Sequence, residues 1–78
     1  MPIYFFDVMN QGDVIEDDEG QEFADLESAR IEATRSAREL ISHAAKQGID
    51  ITHCRFSVRV GESGTVLTVP FRETVTRQ

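Results

Sequence analysis

The chain has one cysteine, two prolines, no tryptophan, and no lysine or arginine in its first 29 residues. The single Cys54 rules out an internal disulfide and any zinc cage built on thiolates. No apolar run approaches the roughly 20 residues of a membrane-spanning helix. The N-terminus also lacks the basic-then-apolar pattern of an export signal, so a soluble cytoplasmic protein is expected. The missing bases leave a charge split. Asp7, Asp13, Glu16, Asp17, Asp18, Glu19, Glu22, Asp25 and Glu27 make the first 29 residues −9, while the remainder is +3, for a net charge of −6. With 78 residues the sequence reads as a single domain over 1–78. A chain of this size buries only about 60% of its unfolded surface. Small size without a disulfide or zinc makes self-association the expected reinforcement.

Ile3–Met9 is rich in aromatic and β-branched residues and reads as a strand, with Ile3, Phe5 and Met9 on one face and Tyr4, Phe6 and Val8 on the other. Asn10-Gln11-Gly12 signals a turn into a short return strand at Val14-Ile15, and Asp17–Gly20 signals a second turn before a short extended piece at Gln21–Phe23. Asp25 is a good N-cap, Glu27 suits the first helical turn, and Gly48 is placed to end a helix spanning about 26–47. Leu26, Ala29, Ala33, Ala37, Leu40, Ile41 and Ala44 fall within a sector of about 120° and form the expected buried stripe. Leu40 is expected at the centre of the helix–sheet contact. Arg55–Val60 alternates, with Phe56, Val58 and Val60 inward. Gly61–Gly64 forms a hairpin loop, and Thr65–Phe71 returns with Leu67, Val69 and Phe71 inward. Pro70 belongs at an edge or strand end, and 72–78 is expected to fray. The result is an α+β two-layer sandwich, β-β-α-β-β, with one long helix on a mainly antiparallel sheet.

The aromatic first strand, Asp17–Gly20, Asp25–Arg30 opening an Ala/Arg-rich helix, Phe56–Arg59 and Leu67–Phe71 occur in an order that resembles the small bacterial domain-of-unknown-function 6894 family. That resemblance implies this fold and brings no activity and no catalytic residues. Asp7 departs from the residue it leads one to expect after the aromatic run. A helix following an acidic hairpin also resembles, in architecture alone, HicB-type antitoxins, whose acidic surfaces mask basic RNA-cleaving partners.

Asp13–Glu22 does not fit a calcium loop, because Ile15 stands at a ligand position and Gly20 is out of register. A solvated acidic turn is the expectation. His43 reads as a solvent-exposed neighbour of Glu39. His53 and Cys54 are adjacent in an extended segment and so point to opposite faces, which leaves Cys54 a buried, inert thiol. No phosphate loop, nucleophile elbow or zinc spacing is present, and neither an enzyme nor a cofactor is expected. One helix covers one sheet face only. The other face is the expected interaction surface, with Tyr4, Phe6, Arg55, Arg59 and Thr68 as candidates and Ile3 and Phe5 as the alternative aromatic-side pair. A non-catalytic interaction module forming a homodimer is the leading expectation. An antitoxin-like protein masking a basic partner comes next. A single-stranded nucleic acid binder is disfavoured by the net negative charge.

Overall fold

The computed structural model describes residues 1–75. Its elements are β1 (Ile3–Asn10), β2 (Asp13–Ile15), β3 (Gln21–Glu22), α1 (Leu26–Lys46), β4 (Arg55–Val60), β5 (Thr65–Pro70) and a 3-10 turn (Phe71–Thr74). The sheet order is β2-β1-β4-β5, with every pairing antiparallel, and β3 joins the same outer edge of β1 as β2. This is the α+β sandwich that the pattern predicts, with β3 as the short extended piece before the helix.

Local chemistry accounts for the boundaries. Gln11 and Gly12 both have positive φ (50° and 94°), the geometry of a two-residue turn that matches strand twist. Asp25 caps α1 by accepting a hydrogen bond from the Ser28 amide at 2.8 Å. At the other end Ile49 donates to the Ala44 carbonyl and Gly48 to that of Ala45. Gly48 has φ 77°, so it takes the left-handed step that a Schellman stop requires. Pro70 lies at the end of edge strand β5, where its missing N–H costs no ladder bond.

The core lies between α1 and one sheet face. Tyr4, Phe56, Val58, Val69 and Phe71 meet Ala29, Ala33 and Ala37, with Phe6, Val8, Phe23, Ile41 and Leu67 partly buried around them. Phe23 stacks on Phe6 at 5.9 Å and meets Tyr4 edge-on at 6.0 Å. The three alanines are completely buried, so the helix backbone approaches the sheet closely.

Two expectations are corrected here. Leu40 is 42% exposed and does not centre the contact. Buried Ala29, Ala33, Ala37 and half-buried Ile41 follow an i, i+4 row, which advances about 40° beyond a full turn at each step. The contact line therefore winds around the helix, and Leu26 and Leu40 fall off it on opposite sides. The second correction concerns the tail. Arg72–Thr74 belongs to the 3-10 turn, with Phe71 and Thr74 buried and the Arg38 guanidinium donating to the Thr74 carbonyl. Fraying does not begin at Arg72, and 76–78 lies outside the described residues.

Candidate functional site on the uncovered sheet face

Cross-strand partners share a face, so the register assigns each side chain. Tyr4 opposes Val60, Phe6 opposes Val58 and Val8 opposes Phe56, which puts Tyr4 and Phe6 on the helix-covered face. Both were candidates for the open surface; both belong to the core packing instead. The open face carries Ile3, Phe5, Asp7 and Met9 of β1 beside Arg55, Ser57 and Arg59 of β4, then Thr65 and Thr68 of β5. Arg55, Arg59 and Thr68 are thus where the alternation predicts them, and Ile3 and Phe5 take the place of Tyr4 and Phe6. Val14 of β2 pairs with Met9 and extends the same face.

The centre of that face is an ionic cluster that sequence reading did not assemble. Asp7 is only 6% exposed. Its carboxylate accepts Arg59 Nε at 2.6 Å, Arg59 Nη2 at 3.0 Å and the Asp17 amide at 2.9 Å. Arg59 also donates to the Asp17 carbonyl at 3.3 Å, and its guanidinium lies 4.8 Å from the centre of the Phe5 ring. Asp17 in turn closes a gap in the sheet. β2 pairs with β1 only at residues 8–10 and β3 only at residues 3–4. Between them the Phe6 amide donates to Asp17 Oδ2 at 3.1 Å, while Oδ1 accepts the Glu19 and Gly20 amides at 3.1 and 3.2 Å. One carboxylate thus does for β1 what a strand would do, and an amide that would otherwise lack a partner is satisfied.

The charges respond accordingly. The Arg59 hydrogen bonds hold the Asp7 carboxyl below the ordinary range against the opposing effect of burial, and the Asp17 amide helps. Asp17 is also lowered. Burial is the largest influence and opposes ionisation, but the amides of Phe6, Gly20 and Glu19 together outweigh it and the repulsion from Asp7. Arg59 is raised, first by its hydrogen bonds to Asp7. Every buried side-chain nitrogen and oxygen among the described residues has a partner, so the cluster is complete as it stands.

Gly20 shows how closely the acidic loop lies on the sheet. Its φ is 72°, and a Cβ there would meet Ile3 Cγ2 at 2.6 Å and Phe5 Cε2 at 2.8 Å. Phe5 is therefore held between the Arg59 guanidinium and the Gly20 backbone. Ring and guanidinium are thus engaged within the cluster, each remaining partly exposed.

The remaining candidates are placed apart. Cys54 is buried, and burial pushes its thiol pKa up. Exposed His53 meets Asn10 Oδ1 through Nε2 at 2.9 Å. His43 is exposed near the end of α1. Among the described residues no group of three or more His, Cys, Asp or Glu side chains is arranged to hold a metal ion. No described helix is long and apolar enough to cross a membrane. Glu16, Asp18 and Glu19 are exposed around the buried part of Asp17.

A family model described as Domain of unknown function (DUF6894) matches residues 3–72. That span runs from the first residue of β1 into the 3-10 turn, and the chain belongs to this family. No curated protein and no solved structure matches it, so the architectural likeness to HicB-type antitoxins has no support among the comparisons.

Proposed function

We propose that this member of the DUF6894 family is a non-catalytic interaction module that pairs with a second copy of itself through the uncovered sheet face. One observation carries the reading. The helix occupies one face of the sheet, while the other leaves Ile3 43% and Val14 49% exposed beside Met9. Apolar side chains gathered on one face mark association surfaces when the patch exceeds a few hundred Å². A standard interface of about 800 Å² per partner would take roughly a seventh of the 5381 Å² surface. Charge placement fits a two-fold arrangement. Arg55 stands opposite Met9 on this face, and exposed Glu16, Asp18 and Glu19 rim its β1 side. A two-fold axis through the face lets each copy's Arg55 approach the other's acidic rim, using one surface twice.

Sedimentation velocity at high micromolar concentration tests this. A dimer that persists in high salt and is lost in Met9→Asp is the expected result. A wild-type monomer in high salt, or a Met9→Asp variant that still pairs in high salt, overturns it. The nucleic-acid alternative draws no support from this face, because Arg59 and Phe5 are already engaged with Asp7, Asp17 and Gly20.

A further inference from the structure

Three depressions run along one flank of α1 and share their walls. One of about 300 Å³ is lined by Arg30, Ile31, Thr34, Arg35 and Arg38. A second, about 160 Å³, sets Arg30 and Thr34 against β5 and the 3-10 turn. A third, about 320 Å³, continues from Arg38 along the helix. Ile31 lies in this groove 56% exposed, flanked by the arginines. Arg30 is paired with Glu27, Arg35 with Glu32 and Glu39, and Arg38 with the Thr74 carbonyl. The pairs with Glu27 and Glu39 are solvent-exposed, and such pairs are worth about 0–1 kcal/mol, whereas Glu32 is partly buried and also accepts from Ser36.

The complementary surface lies on the far edge of the same molecule. Ile15 opposes Val8 and is therefore on the helix side of β2, yet it is 64% exposed. Exposed Glu16, Asp18 and Glu19 follow it. This ridge presents an apolar side chain followed by three acids, and the groove presents Ile31 among three arginines. Two of those arginines are held by in-helix glutamates that the ridge acids would have to displace, and Glu73 stands at the groove's β5 side. β2 and β5 are the two ends of the sheet order, separated by three strand spacings of about 4.8 Å each. The groove adjoins β5 and the ridge adjoins β2, so one copy cannot dock its own ridge.

We propose that the Ile15–Glu19 ridge of one copy docks in the Arg30–Arg38 groove of a second copy, head to tail. The contact joins two different surfaces, so it propagates into a ring or an open chain rather than closing as a pair. It does not use Met9 or the apolar part of the open face. It does draw on the same Glu16, Asp18 and Glu19 that rim the pairing proposed above, so the Met9 variant is what tells the two apart. Its charges lie at the surface, where added salt shortens the screening length from about 10 Å at 0.1 M to about 3 Å at 1 M.

The test is sedimentation of the full chain at low and high salt, with circular dichroism confirming that each variant is folded. Wild type is expected to show association beyond a dimer, or concentration-dependent growth, that weakens severalfold in high salt. Glu16→Lys with Asp18→Lys on one chain, and Arg30→Glu with Arg35→Glu on another, should each lose this component. An equal mixture of the two should restore association that grows as an alternating assembly, because each variant's ridge then meets a groove of opposite sign on the other. If the arginine reversal fails to fold, Arg30→Gln with Arg35→Gln should reduce association severalfold. Met9→Asp should leave the salt-sensitive component intact, which separates this contact from the open-face dimer. Salt-insensitive behaviour, no association at low salt, a folded charge variant that assembles like wild type, or folded reversed variants that do not pair would each overturn the proposal.

Discussion

Replacing Asp7 by Asn tests whether the ionic cluster holds the sheet together. The substitution keeps the shape and the acceptor facing the Asp17 amide. It also turns a donor NH2 toward Arg59 Nε, which now donates at 2.6 Å. Hydrogen bonds to charged groups contribute about 1.5–3 kcal/mol each. Arg59 keeps 29% of its side-chain exposure and its bond to the Asp17 carbonyl, so it recovers some interaction with water and backbone. The expected loss is thus near the lower end, about 2 kcal/mol. For a domain of this size that lowers the melting temperature by about 8–16 °C at neutral pH. The pH dependence has a fixed sign. The folded carboxyl is depressed below its unfolded value, so its contribution is complete above the unfolded pKa of about 3.9. It is lost as pH falls through the folded value. Urea melts should show a constant gap between wild type and Asp7→Asn from neutral pH down to about pH 5, narrowing below about pH 4. Arg59→Met should cost more than Asp7→Asn because it strands a buried carboxylate, and the double variant should cost less than the two losses added. A gap under about 0.5 kcal/mol, or one that does not narrow in acid, would refute the reasoning.

Two further substitutions probe packing. Gly20→Ala combines a left-handed φ, costing about 1–2 kcal/mol, with a Cβ 2.8 Å from a Phe5 ring held under Arg59, so it should destabilise by at least that strain; an unchanged melt would mean the loop is not seated on the sheet. On the helix, Leu40→Asp should cost only about 1 kcal/mol, whereas Ala33→Leu forces a side chain into the closest approach and should cost about 3 kcal/mol. Chemical denaturation orders the two, and the reverse order would put the helix on a different face.

The parts of the fold legible from sequence are those decided within a few residues. Asp25 and Gly48 bracket α1 because cap geometry is local. The alternation in β1 and β4 assigns faces because strand side chains have a period of two. Choosing which face the helix covers needs tertiary information, and so Tyr4 and Phe6 could be paired with Arg55 and Arg59 when the sheet separates them. Leu40 misleads for a related reason: a helical wheel assumes a straight contact line, whereas the alanine row winds. The Asp7 cluster was the least visible. Its partners are 10 and 52 residues away, and neither spacing belongs to a local motif. A carboxylate inside an aromatic strand was nonetheless a signal, because a charge in that setting needs a partner, and Arg55 and Arg59 on one face of the alternating strand were both available.

The acidic run then divides into two kinds of residue. Asp17 is explained by the fold, since its carboxylate satisfies three amides and its own amide reaches Asp7. Glu16, Asp18 and Glu19 turn outward beside it. Like charges this close repel, and a loop anchored by Asp17 and Gly20 would keep its shape with neutral polar residues at the other three places. Glu16 adds a favourable interaction with Arg59, whereas the charges of Asp18 and Glu19 are not used in holding the loop. The docking proposed above would give these acids a counterpart in the arginines on the flank of α1, which the ridge reaches only in another molecule.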